Sequence, residues 1–480
     1  MKATFIIPPV TDGNRPAERT AGCTRVVYFA PNIYELTVAA VVEQMGHEVE
    51  YHDFVYDSRT EADFVKWLGG DTADIYFIWT VNLSIETDVK AMGHIHELRP
   101  EAKVVVIGPG PTYFAERMLL TESDVVVRGE PELTVKELLE RLESGGDWRS
   151  VAGTSVLADG RVRNNGFRPM MRSLDDLPIP ARHLLGNRQF HNPKLKTGPY
   201  TTMVTSRNCP YQCIYCVPSS LTFAREIEYR AENGGKGKPF ISSRSVEKVD
   251  KEITELAAQG YRAIGFMDDN FLFKWDEERT RAICASLKRH GIVWGCQARV
   301  DAITESVAKM LGESGCLYVD LGVESFDDRI LQYVKKGITV ADIYSAVELL
   351  KRYNVPVKLN VLIGSSPLET RDTVKHTLRE AKKLKVDQVM FNIVSPFPAT
   401  EFYEQAIANH WIDRYVPTDV QRESILNLPH LSSREMERLL FWNNISYFLS
   451  WHIISTHLKK FTSWSEFTHA LRALKVKLFG

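Results

Sequence analysis

The chain has 480 residues, 44% of them hydrophobic and 25% charged, with a formal net charge of −2. That length is more than one hydrophobic core usually serves, so two or three domains of ordinary globular composition are expected. No basic excess marks a nucleic-acid surface and no apolar run reaches the length of a spanning helix, so a cytoplasmic protein is expected.

The opening "MKATFIIPPVTDG" is too short an apolar run for a signal peptide and reads as a first strand. Short apolar strands follow at "EVEYHDF", "ADIYFIW", "AKVVVIG" and "SDVVVRG", with helical stretches near "YELTVAAVVEQMG", "IETDVKAMGHIHEL" and "ELTVKELLERLESG". This rhythm predicts an open, doubly wound α/β sheet over residues 1–150, whose ligands sit beyond the strand carboxyl ends. Those ends carry "PP" (8–9), "TVNLS" (80–84), "GPGPT" (108–112) and "RGEPE" (128–132). Small residues there let a large flat ligand approach the backbone. Residues 151–196, centred on "DDLPIPAR", read as a loop-rich linker.

Then comes "SRNCPYQCIYC", residues 206–216. Of the seven cysteines, Cys23, Cys284, Cys296 and Cys316 stand singly among apolar neighbours and read as small buried hydrophobes. A disulfide framework is not expected in a long chain of a reducing compartment. Cys209, Cys213 and Cys216 need another account. A zinc site would use four ligands, often as two pairs, and no second pair follows; His191 is the kind of lone histidine that is usually structural. A [4Fe–4S] cluster takes one thiolate on each iron, so three cysteines leave one iron open. Tyr215, just before the last cysteine, is placed to shield one side.

Beyond the cysteines, "NGGKGKP" (233–239) reads as either a lid or a surface loop. Strand patterns ending in polar or small residues recur at 261–271, 291–301, 316–326, 355–367 and 386–398, with helical stretches between them. With "YTTMVTS" they make six strand–helix units over 197–400, the alternation of a parallel α/β barrel, where chemistry sits at the carboxyl ends of the strands. From Glu401 onward the pattern is helical and rich in aromatics, a small C-terminal domain packing its rings on the barrel. The alternative is peripheral membrane contact, since Lys459, Lys460, Lys475 and Lys477 flank the aromatics. His452 and His457 read as packing or surface histidines.

Cys-x3-Cys-x2-Cys with an aromatic before the last cysteine resembles the radical S-adenosylmethionine (SAM) superfamily. "DDNF" (268–271), "ARVD" (298–301), "GVES" (322–325), "KKGIT" (335–339) and "RSVEKVDKEI" (244–253) are similar to phrases of its subgroup with an N-terminal cobalamin-binding domain. Two positions depart: "GSSP" replaces the usual Gly-x-Pro, and "PFPAT" the usual Pro-x-Pro-Gly-Thr, with Ala399 in the place of glycine. "GPGPT" stands where the subgroup has Gly-Gly-Pro-His-Pro-Thr, and "RGEPE" where it has Gly-Glu-x-Glu. The Asp-x-His-x-x-Gly signature that offers a histidine to cobalt is absent, as is common in this subgroup.

The resemblance implies an N-terminal doubly wound, Rossmann-like cobalamin-binding domain, a radical SAM partial (β/α)6 TIM barrel and a small helical C-terminal domain. It implies a [4Fe–4S] cluster on Cys209, Cys213 and Cys216, with SAM on the open iron cleaved to methionine and a 5′-deoxyadenosyl radical. Asp268 and Asp269 would border the methionine end, Arg299 would meet the carboxylate, Glu324 and Ser325 would reach the ribose, and Leu362 and Ile363 would flank the adenine. Ion pairing of Arg299 and helix capping by the two aspartates are the competing readings. Thr80, Asn82, Ser84, Gly108, Gly110, Thr112, Gly129 and Glu130 would contact cobalamin, unless the domain has kept the fold and lost the corrinoid.

The reaction implied is cobalamin-dependent C-methylation of an unactivated carbon in a natural product, lipid or tetrapyrrole. The alternative is radical cyclisation, rearrangement or deoxygenation without methyl transfer. An external flavodoxin- or ferredoxin-type donor would supply electrons. A non-catalytic corrinoid or iron–sulfur carrier has no reason to leave an iron open, and an RNA methylthiolating enzyme would bring further cysteines and a basic module.

Overall fold

The computed structural model describes residues 1–11, 28–216, 221–412 and 424–458. The chain forms two compact units. One comprises Met1–Phe190 with Ser206–Pro210 and Pro218–Ser245; the other comprises His191–Thr205, Tyr211–Val217 and Val246–Gly480.

In the first unit, β1 (Lys2–Ile7), β2 (Glu48–Asp53), β3 (Ile75–Trp79), β4 (Lys103–Ile107) and β5 (Asp124–Val127) run parallel in the order β2-β1-β3-β4-β5. β3 and β5 are buried along their whole length, as strands covered by helices on both faces must be, and they read accordingly as unbroken apolar runs. The strand order reverses between β1 and β3, which opens a crevice beyond their carboxyl ends. Helix ends follow local chemistry. Thr60 and Asp63 form a capping box on Glu61–Leu68, while Pro131 begins Pro131–Ser144 and a left-handed Gly145 ends it.

The stretch expected as a linker is not wholly one. β6 (Thr154–Ala158) and β7 (Arg161–Asn164) form an antiparallel hairpin that extends the sheet beyond β5. Asp159 and Gly160 turn it with φ of 51° and 70°, the positive pair that a two-residue hairpin of matching twist demands. The helix Leu221–Glu232 also belongs to this unit, as does the short antiparallel pairing of β9 (Ser206–Arg207) with β10 (Ser242–Ser243). The glycine-rich 233–239 stretch folds back on that helix, with Lys238 paired to Glu226 at 3.2 Å.

In the second unit, β8 (Tyr200–Met203), β11 (Ala263–Phe266), β12 (Val293–Ala298), β13 (Cys316–Glu324), β14 (Val357–Ile363) and β15 (Gln388–Ile393) are all parallel and lie in that order, with β8 and β15 at the edges. Val319, Leu321 and Val323 join Val357, Leu359, Val361 and Ile363 in the core between sheet and helices. By strand alternation Tyr318, Asp320 and Gly322, with Lys358, Asn360 and Leu362, occupy the opposite, inner face; the register shifts between Gly322 and Glu324, and the Glu324 carboxylate reaches the Gly322 side. Cys284, Cys296 and Cys316 are buried free thiols in that core, as expected; Cys23 lies outside the described residues.

Among the described residues, the C-terminal helices pack their rings on the barrel, as expected. Phe402, Met436, Leu440, Tyr447 and Ile453 share the barrel's hydrophobic cluster. The Tyr447 hydroxyl accepts the Val389 N–H at 2.7 Å, and its ring meets Phe391 edge-on. His452 meets the Val386 carbonyl at 3.1 Å, a packing role. Lys459, Lys460, Lys475 and Lys477 lie outside the described residues. Among the described residues, no helix is long and apolar enough to cross a membrane.

Candidate active site

Cys209, Cys213 and Cys216 are half-buried. Ile214, between the last two, anchors its loop in the barrel unit: its N–H donates to the Val334 carbonyl at 3.2 Å, and its carbonyl accepts the Phe402 N–H at 2.9 Å. Burial pushes the Tyr215 phenol well above its ordinary pKa, and the negative character of Glu324, Cys213 and Cys216 adds to the shift. Tyr215 therefore sits among these three groups.

Glu324 closes β13 with φ at 60°, a left-handed conformation uncommon outside glycine and one that marks a constrained position. Its carboxylate accepts from the Lys336 ammonium at 2.8 Å. A Cβ on Gly322 would stand 2.8 Å from both the Glu324 oxygen and the Lys336 nitrogen, so the glycine makes room for the pair. Burial opposes the Lys336 charge, but Glu324 and then Cys213 outweigh it and hold the ammonium above its usual value.

Arg299 is buried and ion-paired. Its Nε donates to Asp301 at 2.9 Å, Nη2 donates to the Lys336 carbonyl at 2.6 Å, and the guanidinium stacks 3.5 Å over the Tyr211 ring. Burial works against this cation too, and Asp301 followed by Cys213 overcomes it. Two cations thus lie within electrostatic reach of Cys213.

The other expected SAM contacts divide. The Asp268 carboxylate accepts the Thr205 N–H at 3.0 Å and the Thr205 hydroxyl at 2.6 Å, which ties the ends of β8 and β11 together. Asp269 is half-buried beside it. The Ser325 hydroxyl is spent locally, accepting the Asp327 N–H at 3.2 Å and meeting the Thr377 hydroxyl at 3.2 Å. Leu362 is half-buried on the inner face, whereas Ile363 points into the helix-side core, because neighbours in a strand face opposite ways. The two side chains therefore lie on opposite faces of β14, and only Leu362 presents its side chain to the inner face.

In the first unit, Thr80 and Asn82 follow β3 beside the β1/β3 crevice. Among the described residues, Thr80 Oγ1 and Asn82 Oδ1 are buried without a hydrogen-bond partner, which is costly unless a polar ligand supplies one. The remaining candidates are satisfied by the chain itself. Ser84 Oγ donates to Asp88 at 2.7 Å and accepts the Val81 N–H at 3.0 Å, and Thr112 Oγ1 accepts the Gly129 N–H at 3.1 Å. Cβ atoms on Gly108 and Gly110 would crowd the Thr80–Val81 backbone, at 2.6 and 3.1 Å, and one on Gly129 would meet the Glu228 side chain at 3.2 Å. The close approach these glycines permit is to protein. Glu130 accepts from Arg207 at 2.9 Å and from the Met171 N–H at 3.0 Å.

A family model for the radical SAM superfamily matches residues 203–381. An uncharacterised methyltransferase of Pyrococcus horikoshii is 31% identical over 460 residues, covering 94% of this chain and 93% of that protein. The chain belongs to the radical SAM superfamily. Its cofactors as a superfamily member are a [4Fe–4S] cluster and SAM. The anaerobic magnesium-protoporphyrin IX monomethyl ester cyclase of Rubrivivax gelatinosus is 25% identical over 64% of this chain, which spans 54% of that protein. The radical SAM methyltransferase TsrM of Kitasatospora setae, solved with cobalamin and a [4Fe–4S] cluster, shares the fold with a TM-score of 0.65 at 16% identity, over 92% of this chain and 85% of that one.

Among the described residues no group of three or more His, Cys, Asp or Glu side chains is drawn together as a single metal ion requires. The fit of a radical SAM cysteine loop to a four-iron cluster rests instead on its donor set: three thiols within eight residues, with the Lys336 and Arg299 cations near Cys213 to offset thiolate charge. Lys336 and Gly322 were not singled out from the sequence. The signal available was a lysine in "KKGIT" with no stated partner for the buried glutamate of "GVES".

Proposed function

We propose that the chain is a cobalamin-dependent radical SAM methylase acting on an unactivated carbon of a small natural product, lipid or tetrapyrrole. Cys209, Cys213 and Cys216 hold the cluster, and the cluster with SAM supplies the radical chemistry. Glu324, fixed by Lys336, faces SAM from the end of β13, and Arg299 is held by Asp301 at the end of β12. Thr80 and Asn82 offer hydrogen-bonding oxygens to a corrinoid at the switch point of the first unit, where such ligands sit. Those two orphaned oxygens, in a chain aligned nearly end to end with a methyltransferase, carry the proposal. A flavodoxin- or ferredoxin-type protein supplies electrons.

Each turnover would consume two SAM molecules. One is cleaved reductively to methionine and 5′-deoxyadenosine, and the other gives up its methyl group and leaves as S-adenosylhomocysteine. The test is to incubate anaerobically reconstituted protein, with and without reduced cobalamin, with methyl-labelled SAM. Labelled corrinoid and S-adenosylhomocysteine that form only when cobalamin is present support methyl transfer. Formation of 5′-deoxyadenosine alone, whether or not cobalamin is added, favours the second reading, a cyclisation or rearrangement, for which the protoporphyrin cyclase relative speaks.

A further inference from the structure

The phrase "RGEPE" has no free carboxylate to offer a ligand, and its two glutamates point to a different task. Arg207, two residues before Cys209, is 3% exposed, and its guanidinium is gripped by both of them. Nη1 donates to Glu130 at 2.9 Å and to Glu132 at 3.3 Å, and Nη2 donates to Glu132. Arg225 closes the network from the helix Leu221–Glu232, with Nε 3.4 Å from Glu130 and Nη2 donating to Ser242 at 2.7 Å. Ser242 lies in β10, the strand that pairs with Arg207 itself. Asn208, at φ 83°, donates its side-chain amide to the Pro239 carbonyl at 2.7 Å. Arg207 is therefore fixed through backbone and side chain alike, and Asn208 through its side chain.

Buried ion pairs of this kind are weak stabilisers, because removing both charges from water costs about as much as their attraction returns. Their distinctive product is geometry: a bidentate guanidinium–carboxylate fork admits one orientation. We infer that Arg207 is a positioning residue for the cluster, and that Glu130 and Glu132 of the N-terminal sheet unit hold through it the backbone that presents Cys209. This rests on radical SAM membership and is independent of cobalamin. It gives "RGEPE" a role that persists if the corrinoid does not bind.

The experiment compares full-length wild type with Arg207→Lys, which keeps the charge and loses the fork, and with Glu132→Gln, which keeps the Glu130 contact. In cluster-free protein, alkylation of Cys209 is measured relative to Cys216 by mass spectrometry. In anaerobically reconstituted protein, the rate at which a ferrous chelator strips the cluster and the resonance signature of the reduced cluster are recorded. Both variants are expected to keep the circular dichroism of the wild type. The Cys209-to-Cys216 alkylation ratio and the stripping rate should each rise about tenfold, the scale of one charge-assisted hydrogen bond. If Arg207→Lys fails to fold, Glu132→Gln decides the matter. Wild-type ratios, stripping rates and resonance in a folded variant, whatever its melting temperature, overturn the inference.

Discussion

Lys336 donates to Glu324 at 2.8 Å across a space that only the missing side chain of Gly322 leaves open. The pair fixes a glutamate whose backbone is already in the left-handed region, at the carboxyl end of a barrel strand, where the chemistry of parallel barrels resides. Position, partner and cleared space act together at one point of β13.

Gly322→Ala should separate that pair while leaving the sheet intact. With Glu324 facing SAM as proposed, losing its charge-assisted hydrogen bond corresponds to roughly a ten- to hundredfold loss in SAM cleavage. The measure is 5′-deoxyadenosine formed per minute by protein of wild-type iron content. An unchanged rate would mean that Glu324 takes no part in SAM binding.

Lys336→Met strands a buried carboxylate and should cost about 3–5 kcal/mol of stability in urea unfolding. The double variant Lys336→Met/Glu324→Gln removes the stranded charge and should recover most of that loss. Equal destabilisation of the single and double variants would mean that packing of the lysine stem, not the ion pair, stabilises the site.

Ala399 occupies the position where the subgroup carries glycine, and its φ is 64°. A Cβ in that region costs about 1–2 kcal/mol, against which glycine loses roughly 0.4–1 kcal/mol through the greater freedom of the unfolded chain. Ala399→Gly should therefore be neutral to stabilising, by up to about 1.5 kcal/mol. A clear loss in melting temperature would contradict the strain.

Lys194 shares Asp320 with Lys358, at 2.9 and 2.8 Å respectively. Burial depresses its ammonium from 10.5 to about 8, in spite of Asp320. Between those two values the unfolded chain binds a proton that the folded protein does not, so raising the pH through this window favours folding. Below about 8 both states are protonated and the contribution is flat. The stability of wild type relative to Lys194→Met should therefore climb with pH from about 8 towards 10.5. A difference that stays level or falls there would show that the lysine is not depressed.

The strand–helix alternation was enough to read the parallel strands of both sheets, because burial on two faces leaves unbroken apolar strands ending in polar residues. The hairpin Thr154–Asn164 was legible in principle from Asp159-Gly160 but hidden by a polar β7, whose residues Arg161 and Arg163 face solvent on an edge strand. The three cysteines declared themselves by spacing. Side-chain partnership did not: Ser325, Ser84 and Glu130 look like ligands in a linear phrase and are consumed by Thr377, Asp88 and Arg207 in space. The opposite facing of Leu362 and Ile363 follows from strand alternation, which the sequence already contained.

The most direct test of cobalamin-dependent methylation is an anaerobic cobalamin titration of the reconstituted protein, read by visible absorbance after free ligand is removed. Wild type should retain stoichiometric corrinoid, and Thr80→Val/Asn82→Leu, which replaces the two orphaned oxygens with apolar groups, should retain much less while keeping its iron. No retention by wild type would contradict the account, leaving a radical SAM enzyme that works through the deoxyadenosyl radical alone.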